Sequence, residues 1–198
     1  MVRNAERRSH LLDAGIDVLA EVGARGLTFR AVDARAGVPT GTASNYFTSR
    51  SHLLSELGTH VFVRLTPDAD VVAERMNATH DRELERRLMH DIVDRAAADR
   101  AGYLALIELR LEAARDPDFR RVFAAPMQHG LDASLRDHVE GGFPGGIGVG
   151  LALYLAMNGM LLEHLTLPDA LPTALGGSGP GDAHAVVDRL VDAIVPRE

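Results

Sequence analysis

Signals that end and start helices crowd the first fifty residues of this chain, and they leave room there only for short helices. Gly23 and Gly26 close a first amphipathic run that extends from about Asn4 to Val22. In that run Leu12, Ile16, Leu19 and Gly23 recur at helical spacing, and Leu11, Gly15 and Ala20 widen the stripe. The Thr28 hydroxyl can accept from the orphan amides of the next turn, which makes it an N-cap. Phe29, Val32 and Ala36 then share one face of a helix of about eight residues. Gly37 is placed for a left-handed C-cap. A third helix starts at Pro39 or Thr40, where proline is preorganised for a first turn, and runs to Phe47. Two short helices joined by a glycine turn, with a longer helix packed across them, form a helix-turn-helix unit.

The second short helix has an unusual composition, AGVPTGTASNYF from Ala36 to Phe47. Val38, Ala43 and Phe47 suffice to anchor its inner side, which leaves Thr40, Gly41, Ser44, Asn45 and Tyr46 outside. Short or planar hydrogen-bonding groups of this kind suit base edges and phosphate oxygens in a major groove. Gly41 has no side chain to hold the backbone away from a duplex. Arg30 and Arg50 bracket the patch with positive charge, and the amides opening the third and fourth helices are expected to be phosphate donors. Charge by region agrees: residues 1–50 hold seven Arg against five acids, net +2, while the remainder holds fourteen Arg against twenty-three acids, net −9.

The stretch GARGLTFRAVDARAGVPTGTASNYFTSRSHLLSEL, Gly23 to Leu57, resembles the N-terminal domain of the TetR family of one-component transcriptional regulators. Thr28, Ala36, Gly37, Val38, Gly41, Thr42, Phe47, Ser49, Leu53 and Leu54 match its pattern, with Arg50 where lysine is usual. The resemblance implies phosphate contacts from Thr28, Thr42, Tyr46 and Arg50, and base or near-base contacts from Arg30, Thr40, Gly41, Ser44 and Asn45. Three positions depart from the pattern: Ser44 replaces an aromatic residue, Ala43 a larger apolar one and Thr40 a common lysine.

Helical spacing continues downstream. Ser49 caps a fourth helix with Leu53, Leu54, Leu57, Val61 and Leu65 as its stripe, and Pro67 follows its end. Leu84, Leu88, Ile92 and Ala96 mark a further helix, and Leu104, Ile107 and Leu111 another. The run from Phe119 to Leu135 is expected to break or bend near Pro126. GGFPGGIGVG is expected to be a loop, PTALGGSGPGD a flexible segment, and Ala183 to Val195 a final helix. No convincing alternating strand run occurs, so the fold class is all-α: a three-helix DNA-binding domain at residues 1–50 and a helical effector-binding and dimerisation domain at residues 51–198.

Gly150 to Leu167 is apolar nearly all round, more than one side of a monomer usually covers. One reading buries it as a core helix. The other, which the family resemblance also implies, pairs residues 150–167 and 183–195 with a second subunit in a homodimer that reads a palindromic operator in double-stranded DNA. Met89, Tyr103, Phe119, Phe123, Met127, Met157 and Asn158 are candidates to line a pocket for a small-molecule effector, with ordinary core as the alternative. Glu108, Arg110 and His164 are further polar groups on otherwise apolar helices.

Other chemistries find little support. Cysteine is absent, the nine histidines include no H-E-x-x-H, and the spacings from His52 to His60 and from His80 to His90 suit no metal set. GGFPGGIGVG is neither a G-x-G-x-x-G nor a Walker loop. No metal and no cofactor is expected, and no nucleophile–base arrangement suggests an enzyme. The amino terminus lacks an apolar signal core, and no apolar run approaches the ~18 residues of a membrane span. The expectation is a cytoplasmic, ligand-responsive repressor; a protein-binding helical adaptor and an all-α enzyme are the rival classes.

Overall fold

The computed structural model describes residues 4–67, 69, 72–73, 78–170 and 182–197. Among the described residues there is no strand, in keeping with the expected all-α fold. The chain packs as two compact units, residues 1–66 with 99–128 and residues 67–98 with 129–198.

In the first unit, α1 (Ala5–Gly26) is capped by Asn4, whose side chain accepts from the amides of Glu6 and Arg7. Its helical geometry breaks at Gly23, which adopts φ 69 and ψ 179, so the last turn is set off from the rest where the sequence placed the end. Helix α2 (Phe29–Arg35) starts at Thr28, whose hydroxyl accepts from Ala31 N. Helix α3 (Thr42–Tyr46) is shorter than the expected run from Pro39 or Thr40. The reason is Gly41, whose φ of 93 turns the backbone out of the helical path just before Thr42. Helix α4 (Arg50–Leu65) is capped by Ser49, as its sequence indicates.

Helices α6 (Arg100–Arg115) and the first half of α7 (Pro117–Glu140) complete this unit. Leu11, Ile16 and Leu19 of α1 meet Leu53, Leu54 and Leu57 of α4 and Leu109 of α6 in one core. Each such leucine, fully removed from water, contributes roughly 2 kcal/mol. The buried line of α6 is Gly102, Ala105, Leu109 and Ala113; Leu111 is exposed, and Leu104 and Ile107 are only half-buried. Helix α6 turns its small residues to the core, because they allow close helix–helix approach, so reading the largest apolar residues as the buried face misplaces its orientation. Helix α7 continues as helix through Pro126, where an interruption or bend was expected.

The second unit contains α5 (Arg82–Ala98), the end of α7, α8 (Gly146–Thr166), a short 3-10 turn (Pro168–Ala170) and α9 (Ala183–Ile194). Of the segment expected to be flexible, residues 172–182, all but the last residue lie outside the described residues. Asp182 caps α9 through Ala185 N at 3.1 Å. Val187 and Val191 of α9, Val93 and Ala96 of α5, and Leu153, Met157, Met160 and Leu165 of α8 are buried.

Helix α8 is not a core helix on all sides. Ile147, Leu151, Leu155 and Leu162 form an exposed line on the face opposite Leu153 and Met157, with Ile147 63% and Leu155 61% exposed. As one helix of 21 residues it is long and apolar enough by length and composition to cross a membrane, contrary to the expectation that no run approached that length.

Candidate nucleic-acid interface

The helix-turn-helix is held by a residue that its sequence motif does not single out. Asp33 of α2 is 2% exposed, and its two carboxylate oxygens accept from Gly41 N and Ala43 N, each at 2.7 Å. A buried carboxylate requires donors, and the unsatisfied amides at the start of α3 supply two. Thus α2 fixes where α3 begins and how it is inclined. The available signal was positional: Asp33 follows Val32 and lies four residues after Phe29, on the inward side of a seven-residue helix.

This arrangement corrects one expectation. The amides opening α3 were assigned to phosphate, but those of Gly41 and Ala43 are already bonded to Asp33. The longer α4 keeps the ordinary N-terminal dipole, with Ser49 Oγ accepting from His52 N at 3.0 Å.

Ala43 of α3 and Phe47 just past its end are buried and Val38 before it is half-buried, the inner anchor expected of them. Thr40, Ser44 and Asn45 are exposed, and Gly41, Thr42 and Tyr46 are half-buried. Two hydroxyls are occupied locally: Thr42 Oγ1 donates to Pro39 O at 2.5 Å and Ser44 Oγ to Gly41 O at 2.8 Å. Each retains lone pairs to accept a further bond. Tyr46 packs against the unit's core, with its ring 6.4 Å from that of Phe47. Thr28 and Arg30 lie exposed at the start of α2.

Arg50 has a more definite environment. Its Nη2 donates to Ala24 O at 2.6 Å and its Nη1 to Glu112 Oε1 of α6 at 3.2 Å. Beside it, Glu108 Oε2 accepts from Ala24 N at 3.3 Å. The polar groups at the end of α1 are therefore gripped by Arg50 from α4 and by Glu108 from α6, a role for Glu108 that its place on an apolar helix did not suggest.

The seven pocket candidates divide between the two units. Tyr103, Phe119, Phe123 and Met127 belong to the first, and Met89, Met157 and Asn158 to the second. Phe119 and Phe123 are buried and stack on each other at 5.4 Å, and Phe123 also stacks on Phe62 at 5.8 Å, which is close packing. Met127 Sδ lies 3.9 Å from Arg110 Nη2. Met157 is buried, while Tyr103 and Met89 are half-buried. The Asn158 amide donates to Tyr154 O at 2.7 Å. An open depression in the second unit is lined by Asp81, Arg82, Glu83 and Arg197, none of these seven.

The second unit also carries ionisable groups with shifted behaviour. Glu85 of α5 and His138 of α7 are buried, with Oε2 and Nδ1 3.4 Å apart. Glu85 Oε2 makes no hydrogen bond, and burial raises its carboxyl to about 7. Burial lowers the His138 imidazole, against the opposing effect of the Pro144 and Gly146 backbone. Among the described residues no set of three or more potential ligands converges on a metal position.

Residues 11–57 match the family described as bacterial regulatory proteins, tetR family, and residues 80–197 match the tetracyclin repressor-like C-terminal domain. The HTH-type transcriptional regulator BetI of Klebsiella pneumoniae is 35% identical over 82 residues, 41% of this chain and 40% of that protein. BetI of an Escherichia coli O127:H6 strain matches equally over the same length. The chain thus spans about two-fifths of the length of these curated relatives. A TetR-family member from Streptomyces coelicolor A3 is 28% identical, with 97% of this chain and 99% of that one covered at a TM-score of 0.64. The multidrug binding protein EbrR complexed with ethidium is also 28% identical, with 95% and 99% covered and a TM-score of 0.63.

Proposed function

The chain belongs to the TetR family of DNA-binding transcriptional regulators, a non-enzymatic family, and from that premise we propose that it is a homodimeric repressor that a small-molecule effector releases from a palindromic operator. The observation that carries the reading is the α2–α3 pair. A buried carboxylate sets the angle of a short helix whose outer side presents Thr40, Ser44 and Asn45 to solvent. A reading head needs a fixed backbone and exposed polar side chains, and this element has both. Arg30, Thr40, Gly41, Ser44 and Asn45 reach bases or lie close to them; Thr28, Thr42, Tyr46 and Arg50 position the phosphate backbone.

The division of labour follows the sequence, with DNA contact in residues 1–50 and effector binding and dimerisation in residues 51–198. The exposed apolar line of α8, Ile147, Leu151, Leu155 and Leu162, supports pairing of α8 and α9 with a second copy about a two-fold axis. Two recognition helices then address half-sites about one helical turn apart, roughly 34 Å. The effector binds among the central helices and displaces α4. Tyr103, Phe119, Phe123 and Met127 in the first unit, and Met89, Met157 and Asn158 in the second, are the side chains to test for effector contact, each set within its own unit. Ethidium, which EbrR binds, is a reasonable first probe. A coupling of about 1–3 kcal/mol between the two sites is enough for roughly 5–150-fold relief of DNA binding. Such a regulator works where the chromosome lies, in the cytoplasm.

The test is selection of bound duplexes from a random pool at two salt concentrations. A two-fold-symmetric motif whose binding weakens as salt rises is the expected result. No enrichment at low salt by a folded dimer, with and without candidate effectors, defeats the proposal and favours a protein-binding adaptor.

A further inference from the structure

We propose that Glu112 of α6 competes with DNA for Arg50 and so sets the affinity of the protein for its operator. The inference rests on the reading of Arg50 as a phosphate-contacting residue. An arginine offers several donors in a fixed fork, and here two nitrogens are engaged: one by the Ala24 carbonyl at 2.6 Å, the other by the Glu112 carboxylate at 3.2 Å. The Ala24 bond ties the guanidinium to the end of α1 and leaves its charge uncompensated. Glu112 compensates it. Arg50 is nearly half exposed while Glu112 is largely covered, so the acid is the fixed partner and the arginine the one open to solvent.

A phosphate arriving at Arg50 meets a charge already paired. It must displace Glu112 or share the cation with it, and either way a carboxylate is left close to the DNA backbone. Glu112 sits sixty-two positions from Arg50 in sequence, on a helix outside the helix-turn-helix, so the DNA-facing charge is set by a residue that no DNA-binding motif includes. Neighbouring Glu108 does not perform this role, because its carboxylate is turned to Ala24 N.

A double-mutant cycle on the full chain tests the proposal, with Kd for a selected operator duplex measured across a salt series for wild type, Glu112→Gln, Arg50→Gln and the double variant. Glu112→Gln is expected to bind about three- to fivefold more tightly per protomer, the size of one partly exposed ion pair. Arg50→Gln is expected to bind more weakly and to lower the salt slope by about 0.9 for each phosphate it no longer neutralises. In the Arg50→Gln background, Glu112→Gln is expected to change nothing. Equal tightening in both backgrounds means that general charge is at work, and it overturns the competition. Weaker binding by Glu112→Gln shows that the pair preorganises Arg50 for DNA, and overturns it too. If Arg50→Gln binds like wild type, the phosphate reading of Arg50 itself fails. Loss of binding in Arg50→Gln with no effect of Glu112→Gln removes only the competition and leaves the phosphate reading standing. Glu112→Ala serves as the second variant, and thermal melts establish that each protein is folded.

Discussion

The two units bury charge in opposite ways. In the first, the Asp33 carboxylate has a backbone amide on each oxygen at 2.7 Å. In the second, Glu85 and His138 face each other at 3.4 Å and Glu85 Oε2 has no hydrogen bond. A satisfied buried carboxylate fixes one geometry, because every displacement breaks a strong bond. An unsatisfied one makes the packing around it depend on protonation. The part that must present the same face to DNA each time uses the first device, and the part assigned to effector binding and dimerisation contains the second.

The strongest way to break the comparison is Asp33→Ala. It leaves the half-buried Gly41 amide and the buried Ala43 amide without their acceptor, at a cost of about 3 kcal/mol, and frees the start of α3. Loss of operator binding together with a lowered Tm is expected, in a calorimetric scan paired with a mobility-shift titration. Asp33→Asn keeps one acceptor oxygen and should fall between the two. If Asp33→Ala binds DNA like wild type, the carboxylate does not set the reading head.

Next in size is a charge on the exposed line of α8. Leu155→Glu places a carboxylate in the middle of the surface assigned to the second subunit, at a position that is 61% exposed within its own chain. Sedimentation should show a folded monomer with an unchanged helical spectrum and no operator binding at concentrations where wild type is saturated. A dimer that survives this change pairs through another face.

The Glu85–His138 pair yields predictions of opposite sign. The Glu85 carboxyl is raised from 4.5 to about 7, so the folded state holds its proton more tightly than the unfolded chain. Its contribution is fully present below pH 4.5 and is lost as pH rises through about 7. The His138 imidazole is lowered from 6.5, so its contribution is present above 6.5 and is lost as pH falls through the folded value. Wild-type stability therefore mixes two opposed slopes. In Glu85→Gln only the histidine slope remains, and Tm should rise with pH up to about 6.5. In His138→Gln the carboxyl remains, and Tm should fall between pH 4.5 and about 7. Parallel Tm profiles in the two variants show that the pair is not coupled to folding.

Much of this was legible in the sequence, for identifiable reasons. The caps at Thr28 and Ser49 were readable because they act within three residues of themselves. The outward polar side of α3 was readable because its anchors are local, Ala43 within the helix and Phe47 immediately after it. Asp33 and Glu112 were not, since their partners lie 8, 10 and 62 positions away and come together only when the helices are assembled. The spacing of Leu104, Ile107 and Leu111 marked α6 as a helix but did not give its buried face, because three of the four residues buried there, Gly102, Ala105 and Ala113, are small ones that carry no apolar signal. The pocket candidates were chosen by residue type alone, and type does not distinguish a stacked core pair such as Phe119 and Phe123 from a cavity wall.

The smallest expected effect contrasts two arginines. Arg64 of α4 donates to both oxygens of Asp99, at 2.6 and 2.7 Å, and to Asp17 of α1 at 3.1 Å, all within the first unit. Burial raises the Asp99 carboxyl, but the Arg64 hydrogen bond, the Gly102 amide and the Arg64 charge outweigh it and leave Asp99 below its ordinary value. That lowered value is stability present above the unfolded pKa and lost as pH falls through the folded one. Arg86 of α5 makes a comparable fork to Asp188 and Asp192, at 3.0 and 2.8 Å, but those acids are about half exposed whereas Asp99 is 24% exposed. Water and salt screen the second network more than the first. Arg64→Ala should therefore lower Tm by more than Arg86→Ala, and the excess should persist in about 1 M salt, where the Arg86→Ala effect fades. Equal losses that fade together in salt place both networks on the same wet surface, and the contrast between the units then rests on Asp33 and Glu85 alone.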